Sequence, residues 1–440
     1  MTKGYWKKSI GVLTGVLLLS SVLAGCGNSS ESSTGSGSTG GTSETVIYDW
    51  QNADSYVYKM SEQLAKEYNE RKDATTTMKV QHIPGTDRYY PKLNAELAAN
   101  AGPDVFVSHA AGKLKTYADS GRIMDLTEIL NADPEWKKSF TSGAFNLLTF
   151  DNKVYAIPTA FATVPLFYNK EIFAKYNLTP PTTYEELKNV IKVLKDNGVT
   201  PFAFGAKESW TSALFSEMVA NRIGGDEPFN KLMEGTGTWM DPSYIQTGNV
   251  MNELRDMGAF PSGFLGLDNT AITNMFKNGE AAMFVMGSWA VGSVEAADSK
   301  VQGKIGIAKF PTFEGGKGDL NTWLGQPSYN LVIRANTKNK DAALEYIKAW
   351  TSNEVQTKLA EENGDIPAVN VKLDKDKVPA VAQDLQKEMS DMKGMFIFYD
   401  VGLGAKIGDE YNTTIQAILA GQAPEEAFQS LEQFTQDNKE

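Results

Sequence analysis

The sequence predicts an α/β fold with mainly parallel sheets, because short apolar strand patterns alternate with amphipathic helical patterns along most of the chain. At 440 residues the chain is longer than one hydrophobic core ordinarily organises, so we expect two or three domains. Its composition, with 41% hydrophobic and 22% charged residues, is typical of a globular protein.

Residues 271–290 contain the clearest unit of this alternation. Apolar side chains three and four positions apart in residues 271–277 predict the end of a helix, and residues 281–286 then predict one buried strand. Ser288 follows as the expected N-cap of another helix, with Trp289 directly beside it. This order puts a large ring at the carboxyl end of a strand, which is the edge where open α/β sheets bind ligands.

The other elements follow from the same two patterns. Runs rich in β-branched and aromatic residues predict strands, at residues 45–50, 76–83, 105–107, 154–158, 164–168, 202–205, 305–310 and 329–333. Apolar stripes of helical period predict helices, at residues 55–70, 89–100, 113–120, 134–140, 170–176, 183–196, 241–257, 341–351, 354–363, 378–389, 411–420 and 424–436. Thr183 and Glu186 have the spacing of a capping box at the start of one of these helices.

The first 44 residues have a different character. A lysine-rich start precedes an apolar stretch at residues 10–24, which is shorter than the roughly 20 residues that a bilayer span needs. Residues 23–26, Leu-Ala-Gly-Cys, resemble the lipobox of a bacterial lipoprotein. The resemblance implies that residues 1–25 are a lipoprotein signal peptide and that Cys26 carries lipid at the outer face of the cell membrane. The alternative is an ordinary secretory signal with a chance cysteine.

Residues 26–44 predict a flexible tether, because Ser, Thr and Gly dominate the segment and leave it nothing to bury. Cys26 is the only cysteine, so we expect no internal disulfide. Removing Lys3, Lys7 and Lys8 with the leader takes the formal charge from −12 to −15. Such an acidic chain is a poor candidate for binding nucleic acid or anionic lipid through charge.

Motifs for catalysis are missing from the sequence. There are two histidines, His82 and His109, and no nucleophile elbow, zinc-ligand pair or phosphate-binding loop. We therefore expect no catalytic residue, metal site or cofactor. A carboxylate pair for glycoside hydrolysis stays open, since 54 Asp and Glu residues offer many pairs.

Aromatic rings and short polar side chains recur at the predicted strand ends. Trp323 and Gln326 lie in a predicted Gly-rich loop before the strand at 329–333, and Tyr399 and Asp400 end a short aromatic run at residues 395–398. A sugar suits this mixture, because its apolar ring faces pack on aromatic side chains while its hydroxyls bond to carboxylates, amides and imidazoles. Taken singly, each residue could equally serve core packing or the surface. The candidate ligand-binding residues are Trp50, Gln51, Asn52, His109, Trp210, Asp268, Ser288, Trp289, Trp323, Gln326, Tyr399 and Asp400.

Four stretches then carry a family resemblance, at residues 102–106, 155–158 with 167–170, 276–290, and 341–364. In this order, behind a lipobox, they resemble the family-1 extracellular solute-binding proteins of bacterial ABC sugar importers, the maltose-binding-protein-like group. The resemblance implies a two-lobe periplasmic-binding-protein-like fold of type II, with a sugar held between the lobes and delivered to a membrane permease. It also implies a monomer, with lobe 1 at 45–109 and 305–355 and lobe 2 at 110–304 and 356–440.

The resemblance also bears on the ligand. Trp289 matches the stacking Trp of the family, and Trp210 resembles a stacking position of members that take raffinose-type or multiple oligosaccharides. Where the maltose binder has a carboxylate, residues 109–112 read His-Ala-Ala-Gly, which favours an α-galactoside or another plant-derived oligosaccharide. Two alternatives stay open: a surface glycoside hydrolase or lyase, and the same fold binding a non-sugar solute such as a polyamine, iron or glycerol phosphate.

Overall fold

The computed structural model describes residues 43–438. The predicted signal peptide, the predicted lipidation site at Cys26 and the predicted tether through residue 42 lie outside the described residues. The described residues form one compact unit. In the part of the chain that the structure describes, none of the helices is long and apolar enough to cross a bilayer.

Within residues 43–438 the strands are short and fall into three four-stranded sheets and one two-stranded ribbon. They are β1 (Glu44–Asp49), β2 (Thr77–His82), β3 (Val105–Ser108), β4 (Thr149–Phe150), β5 (Lys153–Val154), β6 (Ala160–Thr163), β7 (Leu166–Asn169), β8 (Thr200–Phe202), β9 (Ala281–Val285), β10 (Ile305–Ala308), β11 (Thr322–Ser328), β12 (Asn330–Ile333), β13 (Ile366–Pro367) and β14 (Gly394–Phe396).

Helices flank these sheets. They are α1 (Tyr56–Asn69), α2 (Thr86–Ala98), α3 (Ala111–Asp119), α4 (Thr127–Ala132), α5 (Pro134–Ser139), α6 (Lys170–Lys175), α7 (Tyr184–Asp196), α8 (Ser209–Gly224), α9 (Glu227–Met233), α10 (Pro242–Asp256), α11 (Asn269–Lys277), α12 (Val291–Val294), α13 (Lys340–Trp350), α14 (Asn353–Lys358), α15 (Ala380–Ser390), α16 (Tyr399–Gly402), α17 (Gly404–Leu419) and α18 (Pro424–Asp437). Short 3-10 turns occupy Asn146–Leu148, Phe264–Gly266 and Ser288–Ala290, and a π-helix occupies Leu359–Asn363. The predicted capping box of Thr183 and Glu186 is present at the start of α7.

The first sheet has the strand order β12-β3-β1-β2, and we call the elements around it lobe 1. Strand β1 pairs in parallel with β2 and β3, as the alternating pattern predicted, and β12 is added antiparallel to β3. Ile47, Val105 and Leu331 from this sheet are fully buried against α13 residues such as Trp350. Burial on both faces explains why β3 and β12 are nearly continuous apolar runs.

The second sheet has the order β10-β7-β9-β8, and we call the elements around it lobe 2. Only β8 and β9 pair in parallel, while β7 is antiparallel to both β9 and β10. The expectation of a mainly parallel sheet is therefore wrong for lobe 2. The alternation of strands and helices in the sequence predicts parallel crossovers such as that from β8 to β9. It does not show that β9 and β10, which come later in the chain, pair antiparallel with β7.

A third sheet, with the order β13-β6-β11-β14, joins the two lobes. Strand β6 leads from Ile157, which bridges to lobe 1, into β7 of lobe 2, and antiparallel β11 returns from lobe 2 into β12. Residues 322–328 had been expected as a loop, yet they form β11, buried along most of its length. Because only a few extended segments cross between the lobes here, this sheet has the form of a hinge.

The chain is divided between the lobes differently from the prediction. Ile123 bridges to Arg334, and Leu130, Phe140 and Ile157 pack in the core of lobe 1, so the segment 111–157 lies with lobe 1. Strand β10 pairs with β7 and so lies in lobe 2. The predicted boundaries at 110 and 305 are therefore displaced, because sheet membership is decided by pairing between distant residues and leaves no local mark in the sequence.

Candidate functional site

Lobe 1 contributes an aromatic group made of Trp50, Tyr90 and His109. Trp50 follows β1 and His109 follows β3, and parallel pairing of these strands brings their carboxyl ends together. The ring centroids of Trp50 and His109 lie 4.9 Å apart, and those of Trp50 and Tyr90 lie 6.0 Å apart. The structure thus brings together two of the predicted residues, and it adds Tyr90 from α2.

His109 is held as a neutral imidazole. Its Nδ1 lies 2.8 Å from the hydroxyl of Tyr90, and its backbone N–H donates to the same oxygen. Burial and the nearby charge of Lys113 lower the pKa of His109 to about 4. At neutral pH the ring therefore offers a flat, uncharged surface and one hydrogen-bonding nitrogen beyond its contact with Tyr90.

Lobe 2 contributes a second aromatic group made of Trp210, Trp289 and Phe398. Trp289 lies just past β9, and its ring centroid is 6.3 Å from that of Trp210 and 6.1 Å from that of Phe398. The ring of Trp289 is 39% exposed, whereas Phe398 is buried behind it. Exposure of so large an apolar ring beside a second Trp is unusual for core packing and makes this surface a candidate for ligand stacking.

Gly287 makes the position of the Trp289 ring possible. A Cβ atom at Gly287 would lie 2.0 Å from Cζ3 of Trp289, so the ring occupies the space that any other side chain would fill. The Gly287 backbone is ordinary extended chain, with φ −71° and ψ 158°. Position 287 therefore requires glycine because a side chain would collide with the Trp289 ring, and not because the backbone needs the conformational freedom of glycine.

A pair of charged side chains lies beside the lobe 1 aromatic group. Lys113 Nζ, from α3, is 5.2 Å from the ring centroid of Tyr90 and 3.5 Å from Oδ2 of Asp400. Burial opposes ionisation of Asp400, but the charge of Lys113 and several smaller contributions, including a hydrogen bond from Asn412, together hold the pKa of Asp400 below its usual value. Asp400 follows Phe398 by two residues, so this ion pair is close along the chain to the lobe 2 aromatic group.

A second carboxyl lies behind Asp400. Glu217 of α8 is 1% exposed, its Oε1 accepts the backbone N–H of Tyr399, and its Oε2 is buried without a hydrogen-bond partner. Burial, followed by the charge of Asp400, raises the pKa of Glu217 well above its usual value. The fold therefore favours the protonated, uncharged form of Glu217, which is how a buried carboxyl avoids an uncompensated charge.

Three other predicted residues lie at the edges of this region. Gln51 Oε1 accepts from the hydroxyl of Ser55 where α1 begins, and Asn52 is exposed in the same loop. Ser288 is buried, and its Oγ accepts the backbone N–H of Thr163. No side-chain capping bond is found at Ser288, so the expected N-cap is wrong, and the residue instead joins the end of β9 to hinge strand β6.

The remaining predicted residues are engaged within the protein. Trp323 and Gln326 lie in β11 and are 2% and 4% exposed, although Nε1 of Trp323 and Oε1 of Gln326 are buried without a hydrogen-bond partner. Tyr399 stacks on Phe229 with ring centroids 3.8 Å apart and lies in the lobe 2 core, so it offers no free ring face. Asp268 caps α11 through the N–H of Ala271 and pairs with Lys207 at 3.0 Å, which gives it a structural role.

Sequence reasoning missed Tyr90, Lys113, Glu217 and Phe398. Phe398 lies in the noted aromatic run of residues 395–398, so a signal for it was present. No sequence signal pointed to Lys113, because a lone lysine in a helical pattern is typical of a solvent-exposed helix face. Tyr90 and Glu217 likewise follow ordinary helical spacing, and only their packing reveals them.

Two further observations limit the kind of site. Among residues 43–438, no three His, Cys, Asp or Glu side chains are grouped so as to hold a metal ion. A surface depression of about 540 Å³ next to α18, lined by Met240, Glu426 and Gln433 among others, contains none of the predicted ligand residues. The region between the lobes therefore remains the candidate site.

A comparison with family models decides the family. The model of the bacterial extracellular solute-binding proteins matches residues 54–357, which is more than half of the chain. The chain belongs to this family. The resemblance found from the sequence is thereby confirmed, and so is the two-lobe α/β fold.

Curated relatives of this solute-binding protein include proteins named for sugars. It is 27% identical over 380 residues to the galactooligosaccharide-binding protein of Bacillus subtilis, covering 82% of this chain and 80% of that one. It is 26% identical over 390 residues to the multiple sugar-binding protein of Streptococcus mutans, covering 83% of each chain.

Solved structures agree with the fold. A chitin oligosaccharide binding protein superposes with a TM-score of 0.83 and 28% identity, covering 89% of this chain and 98% of that chain. A structure from a study of xylan utilization by Caldanaerobius polysaccharolyticus gives the same TM-score with 27% identity, covering 89% and 99%. A raffinose complex, with a TM-score of 0.74 and 20% identity over 89% of this chain and 98% of that chain, shares the fold.

Proposed function

We propose that this solute-binding protein captures an oligosaccharide between its two lobes and delivers it to the membrane permease of an ABC importer. One observation carries the proposal: each lobe contributes an aromatic group, around Trp50 and around Trp289, and Lys113 and Asp400 pair across the lobes. Aromatic faces take the apolar faces of sugar rings, and polar groups beside them, such as His109 and Asp400, take the hydroxyls.

The chemistry of the site favours a neutral ligand. His109 is uncharged at neutral pH, and the charge of Lys113 is already balanced by carboxylates. A phosphate ligand would need an unbalanced cation here, and a polyamine would need several unbalanced carboxylates. The named sugars of the curated relatives support the same ligand class.

Within this class we propose a raffinose-type or other plant-derived oligosaccharide. Two neighbouring rings, Trp210 and Trp289, offer stacking surface for successive sugar units. The absence of a carboxylate at residues 109–112, where the maltose binder has one, disfavours maltose.

We propose further that the protein is a monomer held at the outer face of the cell membrane through lipid on Cys26. The lipobox at residues 23–26 and the polar segment after it support this anchoring. The test is incorporation of labelled palmitate into the full chain and into Cys26→Ser. Label in the full chain alone is the expected result, and label in both would contradict lipidation at Cys26.

The ligand is tested by titrating the compact unit from Thr42 onward with a panel of oligosaccharides, followed by tryptophan fluorescence and calorimetry. We expect one class, with raffinose and stachyose tested first, to bind with micromolar affinity, about −8 kcal/mol. Chromatography of the mixture after incubation should recover the sugar unchanged. A shortened sugar would instead favour a hydrolase or lyase, and a response to cations or phosphates alone would contradict the sugar site.

A further inference from the structure

The start of helix α3 belongs to lobe 1. The ring of Tyr117 on this helix packs edge-on against Phe106 of β3, with centroids 5.7 Å apart. The Tyr117 hydroxyl also donates to Oδ1 of Asn94 on α2 at 2.6 Å. Gly112 and Lys113, in the first turn of α3, therefore move with lobe 1.

Helices α16 and α17 belong to lobe 2. The hydroxyls of Tyr411 and Ser216 lie 2.8 Å apart and join α17 to α8. Helix α8 in turn packs on the second sheet through Phe215, whose ring centroid is 5.1 Å from that of Phe202. Asp400 on α16 and Asp409 on α17 therefore move with lobe 2.

The two lobes touch at Gly112 with no room for a side chain. A Cβ atom there would lie 2.6 Å from the carbonyl oxygen of Gly402, 2.7 Å from the backbone nitrogen of Gly404 and 3.0 Å from the carbonyl oxygen of Val401. All three neighbours are backbone atoms of lobe 2 and cannot rotate aside. Any larger residue at position 112 would have to hold the lobes apart.

Lys113 crosses the same interface. Its Nζ lies 3.2 Å from Oδ1 of Asp409 and 3.5 Å from Oδ2 of Asp400, and its side chain is only 6% exposed. A buried ammonium between two carboxylates is stable only while both lobes supply their part of the cluster. Opening the lobes would leave Asp400 and Lys113 to be solvated separately.

We propose that Gly112 and Lys113 of lobe 1, with Asp400 and Asp409 of lobe 2, form a latch that holds the lobes closed and slows release of a bound solute. Lys113 is a positioning residue in this scheme, since it acts on the ligand through the closed arrangement of the lobes. The effect on release rests on the proposed function, whereas the effect on lobe closure does not.

The first experiment measures sugar association and dissociation by stopped-flow fluorescence. We expect Gly112→Ala and Lys113→Met to raise the dissociation rate by roughly tenfold or more, with the association rate changed by less than about threefold. Lys113→Arg should restore most of the loss because it keeps the charge. The controls are Lys115→Met, which removes an exposed lysine of the same helix paired with Asp119, and Gly266→Ala, where a Cβ meets no other atom.

The second experiment needs no ligand. The unit from Thr42 onward has no cysteine, so Lys79→Cys in lobe 1 and Gln429→Cys in lobe 2, both exposed positions, can carry a pair of spin labels or dyes. We expect the distance distribution of Gly112→Ala and Lys113→Met to shift from that of the labelled parent towards open lobes. Asp409→Asn leaves Asp400 paired with Lys113, so it should shift the distance distribution less. This variant replaces Lys113→Met in the test if Lys113→Met does not fold.

The outcomes are separable. A shifted distance distribution with no binding of any sugar would contradict the proposed function and leave the latch standing. Unchanged distances and an unchanged dissociation rate in Gly112→Ala and Asp409→Asn would overturn the latch. An equal loss of affinity in Lys113→Arg and Lys113→Met would also overturn it, because charge pairing between the lobes would then not be the cause.

Discussion

The rings of Trp210 and Trp289 lie with their centroids 6.3 Å apart and their planes inclined at 56°. The two residues come from different elements of lobe 2, the first turn of α8 and the turn after β9. Neither ring covers the other fully, and Trp289 keeps 39% of its surface exposed. The pair therefore forms an angled apolar surface on which more than one sugar unit can pack.

Replacing Trp289 with alanine should weaken sugar binding at least tenfold, about 1.4 kcal/mol, because it removes the exposed stacking face. The unfolding free energy should change by about 1 kcal/mol or less, since much of the ring is already in water. Calorimetry and denaturant unfolding measure the two effects. Trp289→Phe should keep part of the affinity, whereas Trp136→Phe, far from the site beside Thr351, should keep all of it.

Replacing Gly287 with alanine should weaken binding to a similar degree while both tryptophans remain. The new Cβ would overlap Cζ3 of Trp289, so the ring must leave its place, although the backbone at position 287 accepts alanine without strain. The double variant with Trp289→Ala should bind no worse than Trp289→Ala alone, because both changes act through one ring. Additive losses in this cycle would contradict the assigned role of Gly287.

The two histidines should titrate on opposite sides of the ordinary value of 6.5. Burial lowers the pKa of His82, but hydrogen bonds and charge from Asp49 and Glu62 outweigh it and leave the pKa raised, whereas the pKa of His109 is lowered to about 4. NMR of the imidazole C–H signals measures both, since no other histidine contributes. His109→Gln and His82→Gln assign the signals, and a midpoint near 6.5 for both would contradict the described environments.

These shifts have opposite effects on stability. Pairing of protonated His82 stabilises the fold below pH 6.5, and this contribution is lost as pH rises through the raised pKa. The neutral state of His109 stabilises the fold above pH 6.5, and that contribution is lost as pH falls towards about 4. The unfolding free energy of each His→Gln variant, measured with denaturant across this pH range, should lose the pH dependence that its own histidine causes. The pH dependence caused by the other histidine should remain.

Replacing Glu217 with glutamine should stabilise the protein at alkaline pH. Because the folded-state pKa of Glu217 is raised, the native state binds this proton more tightly, and the wild-type chain loses stability as pH rises through that pKa. Glutamine keeps an oxygen for the N–H of Tyr399 and never becomes charged, so it should gain about 1–3 kcal/mol there. Glu234→Gln, an exposed substitution at the end of α9, is the control.

That comparison is made by unfolding the wild-type chain and both variants from about pH 3.5, below the ordinary pKa of a glutamate, to about pH 9. The expected result is a flatter pH profile for Glu217→Gln, with the curves meeting at acidic pH where Glu217 is protonated in both states. Parallel curves for the wild-type chain and Glu217→Gln would show that the carboxyl is solvated or paired in the folded protein.

Much of the α/β character was predictable, because it depends on local periodicity. The helix predicted at residues 55–70 is α1, and the strand predicted at 281–286 is β9. Helix α8 was not predicted, since residues 211–224 are buried all round and carry no polar face to produce a helical stripe. Strand β11 was read as a loop because its glycine and proline are typical of turns, yet pairing on both sides stabilises it.

The sequence by itself determined the family, the alternation of strands and helices, and the rings Trp50, Trp210 and Trp289 as candidates for stacking. Only the tertiary structure decided that Tyr399 and Trp323 are buried in the protein, that the segment 111–157 lies with lobe 1, and that Lys113 meets Asp400 and Asp409 across the lobes. Local patterns report which side chains need burial. Which burial partner each one finds depends on contacts between residues hundreds of positions apart, and these form only when the whole chain is packed.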